Sequence, residues 1–174
     1  MDFLIKKAIK GDNEAFITLI DKHELTMYKT AKAILNNEED IGDAIQETIL
    51  SAYKSINNLK NSKYFKTWLT RILINKCNDI VRVNKNIVFI EKYTKEEFYE
   101  EDIDGRLEFD ECFEKLGSEY KLALSLYYVD GFNAREISKI LNENENTIKS
   151  RLLRGKKYLE NFLLKNNEGV DKHA

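Results

Sequence analysis

The segment Thr147-Ile148-Lys149-Ser150-Arg151-Leu152-Leu153-Arg154-Gly155-Lys156-Lys157-Tyr158-Leu159 carries five basic residues and no acidic residue. At about 100° per residue of an α-helix, its apolar positions and one glycine share a face. These positions are Ile148, Leu152, Gly155 and Leu159. The opposite face carries Ser150, Leu153, Arg154 and Lys157, and the flanks carry Lys149, Arg151 and Lys156. Such a helix can pack on the protein with one face and bind the phosphate-lined major groove of duplex DNA with the other.

A second, shorter helix is predicted directly before this basic helix. Its apolar positions recur at helical spacing between Ala134 and Leu141, and Asn133 with Glu136 forms the capping box that begins such a helix. Asn142 to Asn146 then interrupts the pattern. A helix, a short turn and a basic helix are the layout of a helix-turn-helix. A helical hairpin whose basic face is simply solvated remains the alternative, because charged runs usually lie at the surface.

Composition favours an all-helical protein of one domain or two small ones. The 174 residues include no proline and seven glycines, so signals for turns between strands are few. No apolar run is long enough to span a bilayer and no signal peptide is recognisable, so the expected location is the cytoplasm. Cys77 and Cys112 are isolated from each other and from both histidines. This spacing predicts two buried thiols rather than a disulfide or a metal site.

The net charge of -2 conceals a segregation of charge along the chain. Between Lys54 and Lys85 there are eight basic residues and one acidic residue, Asp79. Between Glu96 and Glu114 there are ten acidic residues and one basic residue, Arg106. Two cationic blocks separated by an acidic stretch indicate two modules that bind a polyanion, joined by a tether. An acidic tether is repelled by nucleic acid or occupies a basic groove while none is bound.

Four helices are predicted before the tether: Phe3 to Ile9, Asn13 to Leu35, Glu38 to about Ile56, and Tyr64 to about Val83. On the third helix the predicted core face consists of Ile41, Ala44, Ile45, Ile49, Ala52, Tyr53 and Ile56. Asp40, Asp43, Gln46 and Glu47 are left on the outer side. Solvation and a favourable charge at the helix N-terminus account for this acidic side as well as a protein-docking role does, so both interpretations stay open.

The fourth helix has an exposed cationic stripe that consists of Arg71, Asn78, Arg82 and Lys85, with Asn75 and Asp79 at its edge. Asp79 is spaced to pair with Arg82. Basic residues interleaved with Tyr64, Phe65 and Trp68 beside a polar loop are typical of a surface for single-stranded or unstacked nucleic acid. Phe65 and Trp68 fit equally well as core residues, and the loop and the charges would then make the contact.

Together these segments resemble the bacterial RNA polymerase sigma factors of the extracytoplasmic-function (ECF) type, in the sigma-70 family. Asp40-x-x-Asp43-x-x-Gln46-Glu47-Thr48 is similar to the family's region that docks on the clamp helices of the largest polymerase subunit. Phe65-Lys66-Thr67-Trp68-Leu69-x-x-Ile72-x-x-Asn75-x-x-x-Asp79-x-x-Arg82 is similar to its promoter-melting and minus-ten region. Leu116 to Ser138 resembles the family's fourth region, and Thr147 to Arg154 resembles its minus-thirty-five recognition helix. The order and spacing of these segments resemble those of the family over about 160 residues of the chain.

The resemblance implies an all-α fold of two helical modules joined by an acidic linker. Its implied parts are sigma region 2 over 1–86, the linker over 87–108, sigma region 4 over 109–166 and a flexible tail over 167–174. The implied polymerase-binding residues are Asp40, Asp43, Gln46 and Glu47. The implied minus-ten residues are Asn61, Ser62, Lys63, Tyr64, Arg71, Asn75, Asn78 and Arg82. The implied minus-thirty-five residues are Thr147, Lys149, Ser150, Arg151, Leu153, Arg154 and Lys157.

The implied function is that of an alternative sigma factor that directs core RNA polymerase to a small set of promoters. The implied partners are core RNA polymerase, promoter DNA and an anti-sigma factor, which would be anchored in the membrane and would tether the otherwise cytoplasmic chain there. We expect no catalytic residue, no cofactor, no metal and no small-molecule substrate, because catalysis belongs to the polymerase.

The chain departs from the family pattern in the turn before the basic helix. The family often has Gly, Pro and Gly where this chain has Asn142, Asn144 and Asn146. Asparagine tolerates a positive φ and caps helices, so we expect the turn to be kept. Leu153 lies on the exposed front of the helix, where its side chain could contact a thymine methyl group.

Two other classes of protein stay open at this point. A free-standing helix-turn-helix regulator would carry the same basic helix, but it would bind duplex DNA by itself, usually as a dimer. Such a regulator would not need the acidic helix side and the cationic stripe that lie between residues 38 and 82. A helical enzyme could use Asp40, Asp43 and Glu47 as metal ligands or as an acid and base, with His23 as the nearest further ligand.

Overall fold

The computed structural model describes residues 1–88, 112–113 and 115–170. All regular structure in these ranges is helical, as the sequence predicts. The chain divides into two compact units, which correspond, apart from Lys139–Asn142, to the helices before and after the acidic stretch. The predicted linker lies outside the described residues apart from its first two residues, and the last four residues of the predicted tail also lie outside them.

The first unit consists of α1 (Asp2–Ile9), α2 (Asn13–Lys32), α3 (Glu38–Ser55) and α4 (Phe65–Val88), with short 3-10 turns at Ile56–Asn58 and Ser62–Tyr64. α2 ends three residues before the predicted Leu35, and α4 extends five residues beyond the predicted Val83. Gly11 has a φ of 93°, which allows the tight turn between α1 and α2. Asp12 caps α2 by accepting a hydrogen bond from the Ala15 N–H at 3.0 Å.

The core of the first unit lies between α2, α3 and α4. Leu19, Ile41, Phe65, Leu69 and Leu73 are almost completely buried there. Cys77 is also buried, as predicted, and burial raises the pKa of its thiol to about 12. The thiol therefore stays protonated and serves as a small core group.

The core face predicted for α3 is wrong at one position. Tyr53 is 51 % exposed. Its ring packs edge-on against Phe16, and its hydroxyl donates to Asn13 Oδ1 at 3.0 Å. Thr48 is instead completely buried. Its hydroxyl donates to the Ala44 carbonyl at 2.6 Å, which satisfies the polar group inside the core.

The second unit contains α5 (Ser118–Leu124), α6 (Ala134–Leu141) and α7 (Glu145–Val170). α5 continues into a π-helical turn, Ser125–Val129, which the sequence pattern did not predict. α7 runs four residues into the segment predicted as a tail. Leu124, Leu126, Ile137 and Ile148 form the centre of the core and are at most 3 % exposed. Cys112 is buried as well, as predicted.

α7 approaches α5 at Gly155. A Cβ atom at this position would lie 2.9 Å from Leu124 Cδ1, closer than van der Waals contact allows. The glycine on the apolar face of the basic helix is therefore explained by packing, and the face predicted from Ile148, Leu152, Gly155 and Leu159 is the one turned inward.

Candidate nucleic-acid and protein interfaces

The four polar residues predicted on the outer side of α3 differ in their surroundings. Asp43, Gln46 and Glu47 are exposed, and Asp40 is half-buried. Asp40 Oδ2 accepts a hydrogen bond from Asn84 Nδ2 at 3.0 Å, and Glu47 Oε2 lies 3.3 Å from Lys76 Nζ. Asp40 and Glu47 are thus joined to α4, whereas Asp43 and Gln46 have no side-chain partner within the described ranges.

The basic side of α4 is exposed along its length. Arg71, Asn75, Asn78 and Arg82 recur at helical spacing and are all exposed. Arg82 pairs with Asp79 at 2.8 Å, as its spacing predicted. Both side chains of this pair are well exposed, so the pair stabilises the fold little and leaves the guanidinium open to a phosphate. The side chain of Lys85, predicted in the same stripe, lies outside the described part.

Residues 61–64, which we call the minus-ten loop, consist of Asn61 and the 3-10 turn Ser62–Tyr64. Asn61 Oδ1 accepts from the Lys63 N–H at 3.0 Å, so this side chain caps the turn. The Ser62 hydroxyl donates to the Asp2 carboxylate. Lys63 and Tyr64 are exposed. The prediction treated all four side chains as available to a ligand, but two of them already have partners within the protein.

A cavity of about 460 Å³ opens beside the minus-ten loop, between α1, α2 and the start of α4. Its walls include Asp2, His23, Ser62, Lys63 and Phe65. The His23 ring packs edge-on against Phe65, with ring centroids 5.5 Å apart. The His23 Nδ1 atom is 2.8 Å from the Leu19 carbonyl. The volume lies within the range of pockets that hold a small molecule or a single base.

The start of α6 and the turn between α6 and α7 have the predicted caps. The Glu136 N–H donates to Asn133 Oδ1 at 3.0 Å, and the Asn133 N–H donates to Glu136 Oε2 at 2.9 Å. Asn142 has a φ of 54°, the left-handed conformation for which glycine or asparagine is needed. Asn144 Oδ1 accepts from the Asn146 N–H at 2.8 Å and caps α7. Asparagines thus supply both the positive φ of this turn and the cap of the helix that follows it.

The front of α7 presents a row of polar and basic side chains, with one leucine among them. Thr147, Lys149, Leu153, Arg154 and Lys157 are exposed, and Leu153 is 69 % exposed. Ser150 and Arg151 are half-buried.

Arg151 differs from the other basic residues predicted to face DNA. Its Nη1 atom lies 2.7 Å from Glu143 Oε2, and the two side chains are only 23 % and 33 % exposed. Arg151 therefore ties α7 to the turn that precedes it. Lys149 also has an acidic neighbour, Glu145, at 2.7 Å, but both side chains are more open to solvent.

Four residues at these surfaces were missed by the sequence interpretation: Asp2, Lys76, Asn84 and Glu143. Asp2, Lys76 and Asn84 contact residues 29 to 60 positions away, so no local spacing rule points to them. Glu143 is eight residues from Arg151, beyond the three- or four-residue spacing of helical pairs. Only an expectation that a half-buried arginine needs an anion could have indicated it.

Two further findings bear on the alternatives. Among the described residues, no group of three or more His, Cys, Asp or Glu side chains is placed to hold a metal ion. None of the described helices is both long enough and apolar enough to cross a membrane.

The family comparisons match both units of the chain. The family model for sigma-70 region 2 matches residues 19–87, and the model for sigma-70 region 4 matches residues 106–159. RNA polymerase sigma factor SigV of Bacillus subtilis is 29 % identical over 156 residues, which are 86 % of this chain and 91 % of SigV. The ECF sigma factor SigW of the same organism is 28 % identical and covers 94 % of this chain and 98 % of SigW.

Solved structures share the fold. CnrH, solved in complex with the cytosolic domain of CnrY, superposes with a TM-score of 0.66 at 20 % identity, over 93 % of this chain and 96 % of CnrH. The sigma factor RpoE from Bartonella quintana, solved with the anti-sigma factor NepR, superposes with a TM-score of 0.68 at 20 % identity, over 82 % of this chain and 94 % of RpoE. With both region models matched in order, this chain belongs to the sigma-70 family and is an alternative sigma factor of the ECF type.

Proposed function

We propose that this sigma factor docks on core RNA polymerase through the outer side of α3 and contacts the two promoter elements through α4, the minus-ten loop and α7. The proposed boundaries are region 2 over 1–86 and region 4 over 109–166. Asp40, Asp43, Gln46 and Glu47 are the proposed docking residues. The proposed minus-ten residues are Asn61, Ser62, Lys63, Tyr64, Arg71, Asn75, Asn78 and Arg82. The proposed minus-thirty-five residues are Thr147, Lys149, Ser150, Leu153, Arg154 and Lys157, with Arg151 bracing their turn.

The observation that carries this proposal is the opposite charge of two helices packed against each other. α3 presents acids on its outer side, and the adjacent α4 presents a basic stripe. The acids suit a basic surface on a protein and repel phosphates, whereas the stripe attracts phosphates. One helix pair can therefore bind a protein and a nucleic acid at the same time.

Within this arrangement the minus-ten loop reads a base that has left the stack. Extruding a base costs a few kcal/mol, which is recovered by a fitting pocket and by backbone contacts. The cavity beside the loop supports this role by its size, and Lys63 and the exposed ring of Tyr64 support it by charge and stacking.

An anti-sigma factor is the proposed regulator. CnrH and RpoE, which share the fold of this chain, were both solved with a partner protein, the cytosolic domain of CnrY and the anti-sigma factor NepR. We propose a membrane-anchored anti-sigma factor for this chain. The test is reconstitution: a protein captured by this chain from solubilised membranes must also inhibit transcription by the purified holoenzyme, and capture without inhibition counts against it.

The docking proposal is tested with Asp43→Arg. Asp43 is exposed and has no side-chain partner within the described ranges, so its replacement leaves the fold intact. The new cation should face the basic surface of the polymerase and weaken the complex by at least about tenfold in affinity. Glu47→Arg is a less clean probe, because the new arginine would also face Lys76 inside the protein.

Asp21→Arg on α2 is the matched control, since Asp21 is an exposed aspartate on another helix of the same unit. Affinity for core polymerase should fall for Asp43→Arg and stay unchanged for Asp21→Arg, with equal thermal unfolding of both. Equal affinities for the two variants would show that α3 does not dock there.

A further inference from the structure

The minus-ten loop is hydrogen-bonded to a residue that is distant in sequence, at the start of α1. The Ser62 hydroxyl donates to Oδ1 of Asp2, sixty positions earlier in the chain. The second carboxylate oxygen of Asp2 lies 2.7 Å from Lys6 Nζ. The Lys6 ammonium and the Ser62 hydroxyl together hold the pKa of Asp2 below its ordinary value, so the carboxylate is ionised at neutral pH.

α1 holds this carboxylate in a fixed place. Ile5 and Ala8, on the inner face of α1, are 6 % and 2 % exposed and belong to the core of the first unit. Asp2 lies in the first turn of the helix, where a negative charge is favourable. The contact with Ser62 is thus made from an anchored helix rather than from a free chain end.

The same contact borders the cavity beside the loop. Asp2 and Ser62 both line it, opposite His23 of α2. The match to the sigma-70 region 2 model begins only at residue 19, so it includes the minus-ten loop but not α1. Asp2 therefore lies outside the segment that the region 2 model matches.

The hydrogen bond determines what Ser62 can offer to a ligand. A serine hydroxyl has one proton to donate and two lone pairs that accept. Because the proton points to Asp2, Ser62 presents only acceptor capacity to the cavity, and the ionised carboxylate of Asp2 is likewise acceptor only. An edge with an amino group, as in adenine, cytosine or guanine, is complementary to such a wall, whereas thymine has no amino group and presents two carbonyl oxygens.

We propose that Asp2 is a positioning residue of the minus-ten site, which fixes Ser62 as a hydrogen-bond acceptor and so favours an extruded base that carries an exocyclic amino group. This inference rests on the proposed base-reading role of the minus-ten loop. It assigns a part of promoter selection to α1.

The experiment is transcription by core polymerase and the full chain on a promoter library randomised over the minus-ten element, read by sequencing of the transcripts. The variants are Ser62→Ala, Asp2→Leu and the double variant. Leucine is used at position 2 because it removes the carboxylate that accepts from Ser62 and keeps a side chain of similar size. Asp12→Asn is the matched control: it removes a carboxylate from the same pair of helices and keeps a capping side chain.

The wild-type chain should discriminate against thymine at one minus-ten position and prefer a base that carries an amino group. Asp2→Leu and Ser62→Ala should each reduce this preference by about fivefold, the worth of one hydrogen bond, and the double variant should lose no more than either single variant. Asp2→Glu, which keeps an ionised acceptor, should recover most of it, and Asp12→Asn should not alter it.

Contrary outcomes separate this inference from the proposed function. A changed preference for Ser62→Ala with an unchanged one for Asp2→Leu would overturn the role of Asp2 and leave the loop as the reader. An unchanged preference for Ser62→Ala would overturn the base-reading role of the loop itself. A uniform loss of rate for Asp2→Leu on all promoters would reduce the contact to a structural one, and a wild-type preference for thymine would overturn the acceptor wall.

Discussion

Basic residues on α7 have three different surroundings. Arg154 is exposed on the front of the helix and has no acidic partner within the described ranges. Lys156 lies on the flank, 3.6 Å from Glu160. Arg151 is half-buried and paired with Glu143. A run of like charges in a sequence therefore contains groups that are free to bind DNA and groups that hold the helix in place.

Arg154→Ala and Lys156→Ala should have different effects on promoter binding by the holoenzyme. If Arg154 contacts a base edge, its loss costs about 1 to 3 kcal/mol and relaxes the preference at one minus-thirty-five position. Loss of Lys156, a phosphate contact at most, should weaken binding evenly across sequences and lower the salt dependence. Binding to promoters randomised in this element, at two salt concentrations, measures both effects. If Lys156→Ala changes the base preference and Arg154→Ala weakens binding evenly, α7 is rotated about its axis relative to the proposed orientation in the groove.

Helix packing explains a second feature of α7. An alanine in a helix is usually more favourable than a glycine by up to about 1 kcal/mol. At Gly155 the added methyl group would press on Leu124, which is buried and has little room to move. We expect Gly155→Ala to destabilise the protein by about 1 kcal/mol, because overpacking outweighs the gain in helix propensity.

Chemical denaturation measures this prediction, and Leu124→Ala provides the control background. In that background the methyl group has space, so Gly155→Ala should be neutral or stabilising. A stabilising effect of Gly155→Ala in the wild-type chain would contradict this prediction. It would show that the Leu124 side chain moves aside with little loss of folding free energy.

Sequence patterns predicted the helices and their local caps more completely than the interfaces. The Asn133 and Glu136 capping box, the turn at Asn142 and the pairing of Asp79 with Arg82 all involve neighbours in the chain, so residue type and spacing suffice. The contact of Ser62 with Asp2 and that of Glu47 with Lys76 depend on how helices pack. No periodicity contains that information. The π-helical turn after α5 was missed because its apolar pattern is the same as that of an ordinary helix end.

The charge of the whole molecule opposes tight binding to DNA by the chain alone. The two basic surfaces of α4 and α7 are offset by the acids of α3 and by the acidic residues between Glu96 and Glu114, for a net charge of -2. Attraction to phosphates over a distance is correspondingly weak. In the proposed function the first unit binds DNA through α4 and the minus-ten loop, and the second unit binds it through α7. Specific binding therefore needs the polymerase to hold both units on one promoter, which raises their effective concentration at the two elements.

Fluorescence anisotropy with a promoter duplex selected by the transcription assay tests this argument. The free chain should bind the promoter and a scrambled duplex equally, with a dissociation constant of about 10⁻⁴ to 10⁻⁶ M at physiological salt, as non-specific binders do. Addition of core polymerase should produce a complex that distinguishes the two duplexes, and Asp43→Arg should weaken that gain. The weak binding of the free variant should not fall, because the substitution removes a negative charge and adds a positive one. Tight and selective binding by the free chain, above all as a dimer on spaced half-sites, would instead support an autonomous helix-turn-helix regulator. In that case the acidic side chains of α3 would only be solvated, and the basic stripe of α4 would have no binding partner of its own.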